Sequence, residues 1–155
     1  MSTPKIPTPN ISTHVVILAA GQGKRMYSQT PKVLHTIGGV PLLERVILTA
    51  QSLQPEAIHV VYGHQGDALR SRLSHHAVHW VYQEKQLGTG HAVLQVLPFI
   101  PDDAHVIILC ADVPLIESST LVALLDACHT HQNLCLLVAH VPNPFGLGRI
   151  VRNPN

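Results

Sequence analysis

His14-Val-Val-Ile-Leu-Ala-Ala-Gly-Gln-Gly-Lys-Arg-Met26, followed shortly by Pro31-Lys32-Val33-Leu34, is the stretch whose reading decides the fold. An apolar strand opens here directly into a turn carrying Gly21 and Gly23. Glycines let the backbone turn tightly and turn its N–H groups toward a phosphate with no side chain in the way. Lys24, Arg25 and Lys32 bring three cationic side chains to the same turn, and the first acidic residue of the chain is Glu44, so nothing nearby in sequence offsets them. A strand–turn of this kind suits a polyphosphate. The bare G-x-G is a weak signal: Met26 holds the position of the third glycine of the dinucleotide fingerprint, and no G-x-x-x-x-G-K-[ST] sequence occurs.

Outward from this stretch, apolar strands alternate with helical patterns. A helix is expected from Pro41, with Leu42, Leu43, Val46, Ile47, Ala50 and Leu53 on one face. Proline suits the first helical position. Ala57–Tyr62 reads as the second strand, Gly66–Leu73 as a short helix, Val78–Tyr82 as the third strand and His91–Leu97 as the next helix. His105–Cys110 is continuously apolar, as expected where both faces of a parallel sheet are covered. Ser118 or Ser119 is placed to cap a helix that buries Leu121, Leu124, Leu125 and Cys128. Leu134–Val141 reads as a fifth strand. This order predicts an α/β fold, a doubly wound, mostly parallel sheet with right-handed crossovers and its ligand beyond the carboxyl ends of the strands.

The chain has 155 residues, enough for one domain with a real core. Charged residues make up 12%, about half the usual share, and the net charge is +1. A nucleic-acid binder carries a broadly basic face, whereas here the positive charge is local and better matched to a small anionic ligand. Three cysteines, Cys110, Cys128 and Cys135, form no C-x-x-C pair, which favours a reduced, cytoplasmic chain. Residues 1–13 carry three prolines and no apolar stretch, and are expected to be a mobile tail before a domain over 14–155. No apolar run approaches a membrane span. Of the twelve histidines, His75, His76 and His79 lie close in sequence. With no helical H-x-x-x-H and carboxylate beside them, they are expected to be surface or strand-edge residues.

Three further motifs fall at strand ends. In Tyr82-Gln-Glu-Lys-Gln-Leu-Gly-Thr-Gly-His-Ala92, Gln83 offers an amide that donates and accepts, as the edge of a pyrimidine requires. Gly88 and Gly90 permit close backbone approach, and Thr89 adds a hydroxyl at the start of a helix. In Cys110-Ala-Asp-Val-Pro-Leu115, an aspartate directly after an apolar strand stands at the ligand edge of the sheet, where a carboxylate is a good Mg²⁺ ligand. Phe145-Gly-Leu-Gly-Arg-Ile150 is a glycine turn leading into a short strand, with a plain hairpin turn as the other reading.

Together, L-A-A-G-x-G-x-R-M with P-K, Q-L-G-T-G-H-A, D-V-P-L and G-L-G-R-I resemble the uridylyltransferase domain of the bifunctional bacterial N-acetylglucosamine-1-phosphate uridyltransferase/glucosamine-1-phosphate acetyltransferases, from about Val15 to Val151. The resemblance implies a Rossmann-like nucleotidyltransferase fold, with UTP and N-acetylglucosamine 1-phosphate as substrates. It implies Mg²⁺ as cofactor and UDP-N-acetylglucosamine, a precursor of peptidoglycan and lipopolysaccharide, as product. It assigns nucleotide contacts to Leu18, Ala19, Ala20, Gly21, Lys32, Gln83, Gly88 and Thr89, phosphate stabilisation to Arg25 and Lys32, and the metal to Asp112. Sugar contacts fall on Gly148 and on Cys110-Ala111, where the family has tyrosine and glycine; Lys24 stands where the family usually has threonine. Later sugar and metal ligands of the family, its acetyltransferase β-helix and the trimerisation that the β-helix brings are expected to be missing, and turnover to be impaired. Neither a nucleic-acid nor a membrane partner is expected. The alternatives are a CTP- or GTP-dependent relative acting on another sugar or alcohol phosphate, and a nucleotide-binding fragment without turnover.

Overall fold

Three consecutive β-branched residues, Val15, Val16 and Ile17, have neither exposed surface nor a polar face to offer, and they form the middle of the central strand. The computed structural model describes residues 12–21, 28, 30–64, 66–148 and 150–151. In chain order these form β1 (Thr13–Leu18), a single 3-10 turn (Lys32–Leu34), β2 (Thr36–Ile37), β3 (Val40–Pro41) and α1 (Leu42–Gln51). There follow β4 (Ala57–Tyr62), α2 (Gly66–Arg72), β5 (His79–Tyr82), α3 (Thr89–Leu94), a 3-10 turn (Leu97–Phe99), β6 (His105–Cys110) and α4 (Ser118–His131). Among these, no helix is long and apolar enough to cross a membrane.

The main sheet has the order β5-β4-β1-β6 and every pair is parallel. From β1 the chain adds strands outward on one side, then crosses to the other side for β6. That reversal leaves a crevice between β1 and β6 at their carboxyl ends, where ligands of open α/β sheets lie. β2 and β3 form a separate antiparallel ribbon whose turn residues, Gly38 and Gly39, have φ of 59° and 80°. Positive φ at both positions is the twist a two-residue hairpin needs, and glycine supplies it without strain.

Helices cover both faces over β1, β4 and β5, as expected, but β6 is covered on one face only, against the expectation that its apolar run is buried on both. On one face Val15, Ile17, Ile58, Val60, Ile107 and Leu109 pack with Leu43, Val46, Ile47 and Ala50 of α1, Leu69 of α2 and Leu121 of α4. On the other, Val16, Val61 and Val81 meet Ala92 of α3 and Val96. Fully burying a Val or Leu side chain contributes ~1.5–3 kcal/mol, so these two layers hold the sheet together.

Four local expectations are corrected. β1 begins at Thr13, and the Ser12 carbonyl accepts a hydrogen bond from His105, so the fold starts inside the segment read as tail. Pro41 precedes α1 instead of opening it, because it still pairs with Thr36 in the ribbon. Glu117 stands at the start of α4 and neither Ser118 nor Ser119 caps it; the Ser119 hydroxyl donates instead to the Glu117 carboxylate. Leu134–Val141 forms no strand, and Leu134 is 96% exposed. β6 is consequently an edge strand among the described residues, and Val106 and Ile108 are exposed on its second face. An apolar run signals a preference for burial but does not specify the edge that accepts it.

Candidate functional site

Beyond the carboxyl ends of β1 and β6 lies a cleft of about 810 Å³. Its first wall is the end of β1 and the turn after it, Leu18 to Gly21. The Ala19 N–H donates to the Val61 carbonyl, which carries the sheet ladder one residue past the strand and fixes the start of this wall. Gln22 to Tyr27 lie outside the described residues. The expectations for Gly23, Lys24 and Arg25 therefore stand as sequence readings.

Lys32 enters from the 3-10 turn. The Leu34 N–H donates to the Pro31 carbonyl, and Val33, only 6% exposed, anchors the turn in the core. Asp112 enters from β6. The Ala111 N–H donates to the Leu18 carbonyl, and the Val113 N–H closes a turn onto the Cys110 carbonyl, which carries the Asp112 carboxylate into the cleft. The two side chains meet: Lys32 Nζ lies 2.6 Å from Asp112 Oδ2. Sequence proximity alone had left the lysine charge uncompensated; its counterion comes from 80 residues away. Both groups are partly solvated, so the pair adds at most about 1 kcal/mol to stability. It sets a cation and a carboxylate side by side at the mouth of the sheet, the pairing that a phosphate with a metal ion demands.

The opposite wall is the connection from β5 to α3. Gln83 is only 2% exposed, and its amide nitrogen donates to the Gly88 carbonyl and to His91 Nδ1. With that nitrogen committed, the carbonyl end of the amide is the part left to read a ligand. Gly88 has φ 106° and ψ 178°, a backbone region essentially reserved for glycine. Thr89 and Ala92 complete this side.

Of the sequence-predicted residues, the cleft gathers Leu18, Ala19, Ala20, Gly21, Lys32, Gln83, Gly88, Thr89, Cys110 and Asp112. Ala111 is fully buried and does not line it. Gly148 is exposed in the segment after α4 and does not line it either. Burial, and then the neighbouring Asp112 carboxylate, push the Cys110 thiol above its usual range. Val33, Gln86 and Ala92 line the cleft without having been read from sequence. For Gln86 a second signal exists in Gly63: a β-carbon there would fall on the Gln86 amide and 3.2 Å from the Ala20 carbonyl. A side chain at Gly63 would therefore push against two walls at once.

A parallel sheet with a switch point between β1 and β6, and a cleft there, is the architecture of an open α/β protein that takes its ligand beyond the strand ends. The chain matches the MobA-like NTP transferase domain over residues 15–149 and belongs to that family. It is 59% identical over 148 residues to the bifunctional protein GlmU of Legionella pneumophila (strain Corby), a match covering 92% of this chain and 32% of that protein. Against the bifunctional protein GlmU of Coxiella burnetii (strain Dugway 5J108-111) the identity is 56% over 140 residues, 90% of this chain and 30% of the relative. The chain thus spans about a third of the length of these curated relatives. Among solved structures, Rv0371c from Mycobacterium tuberculosis H37Rv superposes with a TM-score of 0.67 at 20% identity, covering 76% of this chain and 60% of that one. Its complex with manganese gives 0.64 at 19% identity, over 76% and 59% of the two chains. At such identity these structures speak for the fold alone.

Proposed function

We propose that this chain carries the uridylyl-transfer site that makes UDP-N-acetylglucosamine from UTP and N-acetylglucosamine 1-phosphate in the cytoplasm. In this reaction a phosphate oxygen of the sugar phosphate attacks the α-phosphorus of UTP in line. The bond from that phosphorus to the bridging oxygen breaks, and pyrophosphate leaves with the electron pair. No covalent enzyme intermediate is needed, so the work of the protein is positioning and charge stabilisation.

The observation that carries the reading is the meeting of Lys32 and Asp112 at 2.6 Å in a cleft that also holds Gln83. Lys32 holds the phosphates and offsets the negative charge that builds on them. Gln83 presents its amide carbonyl to the uracil edge, and Gly88 keeps the backbone beside the base free of a side chain. Leu18 to Gly21 carry the nucleotide, with Arg25 as the second cationic group on the phosphates. On the sugar side the cleft offers Cys110, with Ala111 buried behind it and Gly148 outside the lining.

The donor set fits a divalent cation: Asp112 is the one carboxylate lining the cleft among the described residues, and a hard oxygen ligand of this kind suits Mg²⁺. When bound, Mg²⁺ would be held by the Asp112 carboxylate and would neutralise phosphate charge beside it. With Asp112 holding a cation, Lys32, which pairs with that carboxylate at 2.6 Å, would serve the phosphates.

The test is pyrophosphate release from UTP, CTP, GTP and ATP, each with and without N-acetylglucosamine 1-phosphate, in the presence of Mg²⁺. The expected result is release confined to UTP and dependent on the sugar phosphate, slow beside a chain extended through the later part of the relatives. Preference for CTP or GTP would refute the uridine assignment, and release independent of the sugar phosphate would refute the acceptor.

A further inference from the structure

We propose that Glu44, His75 and His76 form a second metal site, for a divalent transition ion of the zinc type, that clamps α1 to the turn between α2 and β5. This site shares no residue with the cleft.

The sequence groups His75 and His76 with His79, but the structure separates them. His79 belongs to β5 and packs edge-on against His59. The third donor comes from 31 residues upstream of His75. Glu44, in the first turn of α1, has its Oε1 3.2 Å from His75 Nε2 and 3.2 Å from His76 Nε2. The three donor atoms all lie within 4.8 Å of one another. A tetrahedral ion with bonds of about 2.0–2.2 Å to nitrogen and oxygen holds its ligand atoms about 3.3–3.5 Å apart. The carboxylate-to-imidazole spacings are already close to that separation, so side-chain adjustment suffices to admit an ion. Each neutral imidazole needs only to move its proton from Nε2 to Nδ1 to offer a lone pair.

The ligands are held in place before any ion arrives. The His76 side chain is 8% exposed and the Glu44 side chain 20%, while His75 is 60% exposed and provides the way in. The turn carrying both histidines is fixed by hydrogen bonds from His76 N–H to the Leu73 carbonyl and from Val78 N–H to the His76 carbonyl. Glu44 sits between buried Leu43 and the buried Val46–Ile47 pair, so its helix is seated on the core. Three protein ligands leave at least one position for water.

Ligand chemistry sets the class of ion. Two imidazoles with one carboxylate suit Zn²⁺, Co²⁺, Ni²⁺ or Cu²⁺, whereas Mg²⁺ prefers oxygen ligands. The fold would then carry two chemically distinct metal sites, a hard one at Asp112 and a borderline one here. An ion joining two segments distant in sequence binds the folded chain and not the unfolded one, and stabilises it accordingly.

The experiment uses the full, untagged chain, titrated with Zn²⁺ by calorimetry in saturating Mg²⁺, with Co²⁺ absorption as a second readout. Thermal unfolding is followed with and without Zn²⁺. His75→Asn and Glu44→Gln remove a ligand each, and His75 is exposed enough for the first variant to fold. His129→Asn, on α4, controls for general imidazole affinity. The expected result is one Zn²⁺ per chain and a rise in Tm of about 6–10 °C at a free Zn²⁺ a hundredfold above Kd. Tenfold or greater weakening is expected in His75→Asn and Glu44→Gln, none in His129→Asn, with UTP binding unchanged in all three. The proposal is overturned if Zn²⁺ does not bind, if either ligand variant loses less than tenfold, or if Mg²⁺ gives the same Tm rise.

Discussion

Lowering the pH from 7.5 to 4.5 should destabilise this protein through one residue, His59. The side chain has no exposed surface. Its Nε2 lies 3.1 Å from His14 Nδ1, the two rings stack at 5.4 Å, His79 meets it edge-on at 5.2 Å, and Phe99 closes the group at 6.3 Å. Burial, followed by the charges that His79 and His14 would acquire, lowers the His59 pKa from 6.5 to about 4. A proton therefore binds the unfolded chain more readily than the folded one. The stability linked to His59 is whole above pH 6.5, is lost as the pH falls, and levels off once the pH is below 4. At about 1.4 kcal/mol per unit, the loss is about 1 kcal/mol at pH 5.5 and approaches ~3 kcal/mol in full. The assay is urea unfolding at pH 7.5, 6.5, 5.5 and 4.5 for the parent and for His59→Gln, which keeps a partner for His14. The parent should lose about 1 kcal/mol more than the variant by pH 5.5 and roughly 2–3 kcal/mol more by pH 4.5. Parallel curves for the two proteins would refute the assignment of this acid sensitivity to His59.

Four further outcomes concern the cleft and the sheet edge. Lys32→Ala should cut pyrophosphate release by roughly 10²–10³ while changing unfolding free energy by no more than about 1 kcal/mol, because the ion pair is half-solvated and its value lies with the ligand; equal effects on rate and stability would argue for a structural lysine. Gly88→Ala should cost about 1–3 kcal/mol by denaturant unfolding, since alanine resists the φ of 106° at that position. Cys110 should be alkylated more slowly with UTP and Mg²⁺ present, with Cys128 and Cys135 unaffected in peptide mapping, because only Cys110 of the three lines the cleft. Ile108→Thr, which reduces the exposed apolar face of β6, should lower concentration-dependent association in light scattering.

The four strands of the main sheet and the helices up to His131 were legible because each carries its own periodicity, whereas the two-residue strands β2 and β3 are too short to show one. Ala57–Tyr62 and His105–Cys110 have the bounds that the sequence predicts, being apolar runs cut off by turn residues. What escaped was whatever depends on a distant partner. The apolar run after α4 looked like a strand because strands and uncovered segments share a composition. The charge at the phosphate turn looked unopposed because Asp112 is remote in sequence. Of the cleft lining, the motifs pointed to Lys32, Gln83, Gly88 and Asp112, whereas the place of Gln86 shows only once Gly63 is seen beneath it. The contact of His75 and His76 with Glu44 escaped for the same reason: a linear spacing cannot point to Glu44, which reaches them across the fold.

The position of β1 has a consequence during synthesis. Its first neighbour, β4, starts about forty residues later in the chain, but its other neighbour, β6, starts about ninety residues later. At a translation rate of ~5–20 residues per second, the second edge of the central strand stays unpaired for roughly 5–20 s. Lys32 must likewise wait for Asp112 to emerge. A nascent chain therefore passes through a stage with a three-stranded half-sheet, an open edge and no finished cleft. Slow codons between β4 and β6 would prolong that exposure.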